Sequence, residues 1–176
     1  LLSTVENLLS VTRMEEGRMA LHLKPELLSE VVGGAMQRLE KYGSTHHLRV
    51  EQEDDLLMAR IDARLILQVL TNLIDNAVKY TPPGSEIAVR TLRRDGMVVV
   101  EVADTGPGIP DADKEKVFEM FYTSAGSDAR RGMGLGLALC KSIVNAHGGT
   151  ISVSDNVPHG AVFAFTLQEE RIDLPS

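Results

Sequence analysis

DARLILQVLTNLIDNAVKYTPPGSEIAVRTLRRDGMVVVEVAD, residues 62–104, places a long helix directly before a hairpin. Asp62 is a good N-cap, and Pro82, Pro83 and Gly84 stop the helix after Tyr80. Advancing about 100° per residue from Asp62 gathers Ile66, Val69, Leu70, Leu73, Ile74 and Ala77 on one side. Gln68, Asn72, Asp75, Asn76 and Lys79 fall on the other. Residues 85–93 and 97–103 alternate or run apolar, and Asp95-Gly96 between them is a strong turn signal.

Outward from that stretch, helices and strands interleave. Residues 1–15 repeat apolar side chains at helical spacing and end at Glu16-Gly17. MALHLK, residues 19–24, reads as a strand. Pro25 opens a second helix that runs to Tyr42 and stops at Gly43. Residues 48–52 and 57–61 read as two strands joined by an acidic turn at Glu53 to Asp55. After the hairpin come a Gly-Pro loop, a short helix containing Phe118 and a polar, glycine-bearing stretch. A helix over 135–147 follows, capped by Gly148-Gly149. Strands at 150–154 and 161–167 close the chain across a Pro-Gly turn. The expected fold is an α/β two-layer sandwich: a mixed, mostly antiparallel sheet with helices packed on one face.

The composition sets limits on function. The 176 residues are 43% hydrophobic, enough for a core, but only 4% aromatic with no Trp. That core must therefore be Leu, Val, Ile, Ala and Met. A formal net charge of −7 with no basic stripe argues against a nucleic-acid partner. No run of 18 apolar residues occurs, so nothing here is read as a membrane span. The start lacks a signal-peptide pattern, and beginning at Leu1 rather than Met it reads as part of a longer protein. The single Cys140 cannot form an internal disulfide, which suits a reducing cytoplasm.

Three motifs carry chemistry. Two Asn amides at i, i+4 in mid-helix, Asn72 and Asn76, are intrinsically poor helix formers. They are either an incidental polar face or ligands. Mg²⁺ takes oxygen ligands and usually only one or two from protein, and an amide oxygen adds none of the charge that repels a polyphosphate. Lys79, one turn beyond Asn76, can reach a phosphate as a point charge. The second motif is Asp104 at the end of an apolar strand, before TGPGI at 105–109. A carboxylate there can accept from the exocyclic amine of adenine, where guanine presents a carbonyl; otherwise it is a plain Asp-Gly turn. The third is Gly132-x-Gly134-x-Gly136 before a helix, where the glycines permit close approach to phosphate and the helix N-terminus supplies free N–H groups. It is neither a Walker loop nor a Rossmann fingerprint. Residues 123–131 show no periodicity and read as a lid.

Read in order, NLIDNAVKY, DTGPGIP, VFEMFY and GMGLGLALCKSIV resemble the catalytic ATP-binding domain of bacterial sensor histidine kinases, a branch of the GHKL superfamily. The resemblance implies that Asn76 holds Mg²⁺, Lys79 contacts phosphate and Tyr80 lines the nucleotide site. It makes Asp104 the adenine-specifying residue, within a box holding Gly106, Gly108 and Ile109. It assigns Arg131, Gly132, Gly134, Leu135, Gly136 and Leu137 to the phosphate-binding box and lid hinge. Phe118, Phe121 and Tyr122 match an aromatic box, and Phe118 and Phe121 are read as packing the lid base into the core. Asn72 joins Asn76 and Lys79 in the implied catalytic set. ATP-hydrolysing relatives carry a Glu there; an amide cannot act as a general base, which points to phosphoryl transfer to another acceptor. One departure stands out: Gly160-Ala161 replaces a Gly-Thr/Ser whose hydroxyl supports the Asp, so Thr166 or a water is expected to substitute.

The histidines (His22, His46, His47, His147, His159) lack the acceptor pattern H-E-x-x-T/N-P and read as structural. Residues 1–17 resemble the end of a second dimerisation helix, 18–170 the ATP-binding catalytic domain and 171–176 a tail. ENLLSVTRMEEG and the hydroxyl-free Gly160-Ala161 look most like the potassium-responsive Kdp-type sensors. The implied partners are the protein's own phosphoacceptor and dimerisation domain and a response regulator. The implied full-length protein is a homodimer anchored in the bacterial inner membrane, with this domain in the cytoplasm and expected to be monomeric alone. A GHKL module that hydrolyses ATP and a non-catalytic nucleotide-binding regulatory module remain alternatives.

Overall fold

A computed structural model describes residue 9, residues 20–119 and residues 136–171. In chain order the elements are β1 (Lys24–Leu27), α1 (Leu28–Arg38), β2 (His47–Gln52), β3 (Met58–Ile61) and α2 (Ala63–Lys79). Then come β4 (Glu86–Arg94), β5 (Met97–Asp104), α3 (Gly136–Ala146), β6 (Ile151–Asp155) and β7 (Ala161–Gln168). Five strands form one sheet in the order β2-β4-β5-β7-β6, parallel only between β2 and β4. β1 and β3 form a separate antiparallel pair, tied to the end of β7 by a bridge between Ala59 and Glu169. This is the expected two-layer α/β sandwich.

The hairpin turns where Asp95 (φ 54°) and Gly96 (φ 78°) both take the left-handed backbone that a tight two-residue turn requires. Period-2 alternation then sorts the strands. Val98, Val100 and Val102 of β5 join Ile87 and Val89 of β4 and Phe163, Phe165 and Leu167 of β7 in the core that the helices cover. α2 buries the six predicted apolar residues and Leu65 as well. Phe118 also belongs to this core, edge-on to Phe163 with ring centroids 5.9 Å apart.

Several local expectations give way to tertiary contacts. Pro25 opens no helix: it lies in β1 opposite Arg60, in a two-stranded sheet where its missing N–H breaks no inner ladder. The helix starts at Leu28 and ends at Arg38, and Glu40–Ser44 forms a 3₁₀ turn. MALHLK is irregular over its described part, with only Lys24 in a strand. The two strands around the acidic turn do not pair with each other. β2 joins the main sheet and β3 turns away to β1, which buries Ala59 and Ile61. Asp62 occupies the N-cap position of α2 without capping it, because its carboxylate accepts from the His22 amide at 3.1 Å instead. α3 ends as predicted at Gly148 (φ 77°), with Gly149 N–H donating to Val144 O and Gly148 N–H to Asn145 O, the paired bonds of a Schellman cap.

Phe165 is fully buried between the sheet and the helices. Phe165→Ala is expected to cost about 3–5 kcal/mol, read as a lower urea midpoint with an unchanged slope; a loss below about 1 kcal/mol would contradict the packing described here.

Candidate functional site

Asp104 is the last residue of β5 and follows Val98, Val100 and Val102 in the same phase. Its carboxylate is therefore delivered to the helix side of the sheet, at the sheet's end. The residue is only 6% exposed, and its two oxygens are treated differently. Oδ1 accepts the backbone N–H groups of Gly106 at 3.0 Å and Ala161 at 3.2 Å. Oδ2 has no hydrogen-bond partner among the described residues. Burial raises the pKa of this carboxyl above the ordinary range, and the two amide donors work in the opposite direction. The result is a fixed, mostly buried acceptor with one oxygen left for a donor from outside.

The loop around Asp104 is held by the turn between β6 and β7, of which sequence reading singled out Gly160-Ala161 but not Asn156. Asn156 Nδ2 donates to the Asp104 backbone carbonyl at 2.7 Å. Gly160 takes φ 114°, and a Cβ there would lie 1.9 Å from that same carbonyl oxygen. Gly108 (φ 79°) packs on Gly160, and Ile109 rests partly buried against the core. His159 is also drawn in, with Nδ1 3.1 Å from the Gly106 carbonyl. The only sequence trace of Asn156 is its place in a turn. The expected substitute for the missing hydroxyl is corrected: Thr166 is five residues along β7 from the position opposite Asp104, about 17 Å away. It bonds Thr150 instead, and the Ala161 backbone amide supports Asp104 directly.

The C-terminal end of α2 abuts this loop. Thr81 Oγ1 donates to Ala77 O at 2.7 Å, and its methyl presses on Gly106, where a Cβ would come within 2.5 Å. Asn76, the residue before Ala77, is half-buried, and its amide makes no hydrogen bond among the described residues. Lys79 pairs with Asp75 at 2.9 Å and is 46% exposed. Tyr80 is half-buried at the C-cap. Asn72 departs from a simple solvent face: its Nδ2 is buried beside the thiol of Cys140 of α3, which burial pushes up to about 12 while the Asn72 amide works the other way.

Gly136 begins α3, and a Cβ on it would meet nothing within 4 Å. Packing among the described residues therefore gives no reason for a glycine there. Leu137 packs partly buried against the core. Arg131, Gly132, Gly134, Leu135, Phe121, Tyr122 and the predicted lid at 123–131 lie outside the described residues, as does the helix read at 1–15 apart from Leu9. His147 accepts from the Asp62 N–H through Nε2 and approaches Ile143 O through Nδ1 at 2.8 Å, which makes it a buried structural link.

A nucleotide with Mg²⁺ fits what is present. Asp104 Oδ2 matches an amine donor, and the Asn76 amide oxygen is a neutral ligand of the kind Mg²⁺ accepts alongside phosphate oxygens. Among the described residues no cluster of three or more His, Cys, Asp or Glu forms a self-sufficient metal site, and no helix is long and apolar enough to cross a membrane.

Residues 61–171 match the family model for histidine kinase-, DNA gyrase B- and HSP90-like ATPases. The chain is 42% identical over 172 residues to the sensor protein KdpD of Clostridium acetobutylicum, covering 97% of this chain and 19% of that protein. It thus spans about a fifth of the length of that relative. Among solved structures, full-length ShkA in complex with AMPPNP superposes with a TM-score of 0.85 at 26% identity, covering 99% of this chain and 37% of that one. Histidine kinase ThkA in complex with the response regulator TrrA gives 0.74 at 28% identity, covering 96% and 48%. The KdpD likeness agrees with the Kdp-type resemblance read from the sequence.

A carboxyl whose folded-state pKa is raised binds its proton more tightly in the native state than in the unfolded chain. Its ionisation therefore costs stability at neutral pH, and the cost fades as pH falls towards about 4. Asp104→Asn is expected to raise the urea midpoint at pH 7, the advantage shrinking to nothing in acid. A midpoint below that of the parent at pH 7 would refute this.

Proposed function

The chain belongs to the family of histidine kinase-, DNA gyrase B- and HSP90-like ATPases, and from that premise we propose that it binds Mg-ATP and passes the γ-phosphoryl group to a histidine on a dimerisation helix outside this chain. The observation that carries this reading is the divided carboxylate of Asp104. With Oδ1 saturated by the Gly106 and Ala161 amides, Oδ2 alone faces a ligand. The exocyclic amine of adenine donates to it; the carbonyl of guanine cannot, and would leave a buried acceptor unpaired.

Asn76 holds Mg²⁺ through its amide oxygen. When bound, the metal neutralises charge on the phosphates. Lys79 adds a cation at the phosphate end, its ammonium reaching a phosphate oxygen while it stays beside Asp75. Gly132, Gly134 and Gly136, with the N–H groups that open α3, receive the phosphates, and Arg131, Leu135 and Leu137 complete that wall. Tyr80, Gly106, Gly108 and Ile109 line the purine end. Asn72, one turn before Asn76, carries an amide that takes no proton, so water is not activated there and the phosphoryl group is kept for the acceptor histidine.

In ShkA the same fold is seen with AMPPNP, and in ThkA with a response regulator, which supports a nucleotide and a response regulator as partners here. The longer protein is read as a homodimer anchored in the bacterial inner membrane. Within it, residues 1–17 continue the second dimerisation helix, 18–170 are the catalytic domain and 171–176 a tail.

Asp104→Asn places an amide against the adenine amine, and Asn76→Asp places a charge beside the phosphates. Each is expected to weaken Mg-ATP by at least about tenfold in calorimetry, with Asp104→Asn also narrowing the preference for ATP over GTP. Affinities equal to the parent's would refute the assignments. Labelled ATP supplied with a dimerisation helix bearing an acceptor histidine should transfer its phosphate; binding without transfer would make the domain a regulatory nucleotide sensor.

A further inference from the structure

One short segment outside residues 61–171 touches α2 near its C-terminal end, at Asp75, and the chain just beyond it, at Thr81. It is the 3₁₀ turn Glu40–Ser44 with the two residues that follow, between α1 and β2. At the phosphate end, Tyr42 OH donates to Asp75 Oδ1, and the other Asp75 oxygen holds Lys79 Nζ at 2.9 Å. At the purine end, His46 is 5% exposed, with Nε2 2.9 Å from Thr81 Oγ1 and Nδ1 2.9 Å from Thr45 Oγ1. Thr81 spends its own proton on Ala77 O, so its oxygen must accept from His46 Nε2–H. The Thr81 methyl in turn backs Gly106, whose N–H fixes Asp104 Oδ1. Backbone bonds tie the segment and the start of β2 to the loop between α2 and β4: Gly84 N–H to Thr45 O at 2.7 Å and His47 N–H to Ser85 O at 3.0 Å.

We propose that Tyr42 and His46 are positioning residues of the nucleotide site, Tyr42 setting the Lys79 ammonium through Asp75 and His46 setting the Asp104 loop through Thr81. This deepens the Mg-ATP reading and rests on it. The exposed Asp75–Lys79 pair alone contributes little and leaves a flexible four-carbon stem free to wander. A third group that pins the carboxylate restricts where the ammonium lies before phosphate arrives, which lowers the ordering cost of binding. The Asp75 hydrogen bond pushes the Tyr42 phenol up to about 12, so it remains a donor at neutral pH. His46 does the same for the purine end with a ring instead of a phenol. A buried imidazole with hydroxyls on both nitrogens fixes Thr81 more rigidly than solvent could.

The two arms act on different parts of the ligand, which a merely structural role would not do. Binding of AMP and of Mg-ATP to the 176-residue chain is measured by NMR titration, with urea midpoints for every variant. Tyr42→Phe is expected to weaken Mg-ATP roughly three- to tenfold while leaving AMP within about twofold of the parent. His46→Ala is expected to weaken both ligands by a similar factor, and His46→Gln, whose amide can donate to Thr81, to recover most of the loss. Should His46→Ala not fold, Thr81→Val removes the same hydrogen bond with little change of shape and is expected to weaken both ligands. Equal losses for both ligands in Tyr42→Phe, tracking its loss of stability, would overturn the proposal, as would unchanged binding in both arms or no recovery by Gln. Asp104→Asn separates the two levels. If it abolishes binding while Tyr42→Phe and His46→Ala bind as the parent does, only the positioning roles fail. If the parent binds neither ligand, the Mg-ATP reading falls and the positioning roles fall with it.

Discussion

The carboxylate of Asp104 is the constraint around which the rest of the site is arranged. It is buried at the mouth of the sheet, where a charge is costly unless it is met by donors. Two backbone amides, from Gly106 on one loop and Ala161 at the start of β7, meet half of that need. Both donors belong to segments that must come close to the Asp104 backbone. That closeness is why glycines stand at 106 and 160, where any side chain would collide with Thr81 or with the Asp104 carbonyl. The remaining oxygen is left without a partner among the described residues and so stays available to a donor from outside.

α2 connects this acceptor to the rest of the site. One face is locked into the core by seven buried apolar residues, so the helix cannot rotate or slide. Its polar side chains are therefore held at fixed positions. Just beyond its end Thr81 meets the Asp104 loop, and Lys79, Asn76 and Asn72 stand about half, one and a half and two and a half turns before it. In the proposed Mg-ATP site the sheet would carry the purine end and the helix the metal and phosphate end; a site held on such elements keeps its geometry better than one held on loops.

The segment from Tyr42 to His46 joins the two ends from outside. Its contacts to Asp75 and Thr81 are side-chain hydrogen bonds between residues 33 and 35 positions apart in the chain. It lies beyond the residues that match the family model. Site geometry here thus draws on residues that no nucleotide-binding motif contains.

Much of the fold was legible in the sequence because it rests on periodicity. The apolar stripe of α2, the Asp95-Gly96 turn, the Schellman stop after α3 and the phase that delivers Asp104 to the end of β5 all follow from local spacing. The motifs around Asn76, Lys79 and Asp104 were legible too, because unusual residue types in mid-helix or at a strand end stand out against what local structure prefers. Pairing beyond the Asp95-Gly96 hairpin was not legible. Pro25 became part of a strand because β3 was present to pair with it, and Asp62 gave up its cap because the His22 amide was nearer. Nor did the sequence reveal that the Ala161 backbone, rather than Thr166, would hold Asp104, that Asn156 would bond the Asp104 carbonyl, or that Tyr42 and His46 would bond Asp75 and Thr81. Those contacts join residues tens of positions apart, and chain spacing carries no information about them. By itself the sequence determined which chemical groups exist and the local element that carries most of them; only the tertiary structure decided which oxygen of Asp104 stays free, because that depends on which distant amides arrive beside it.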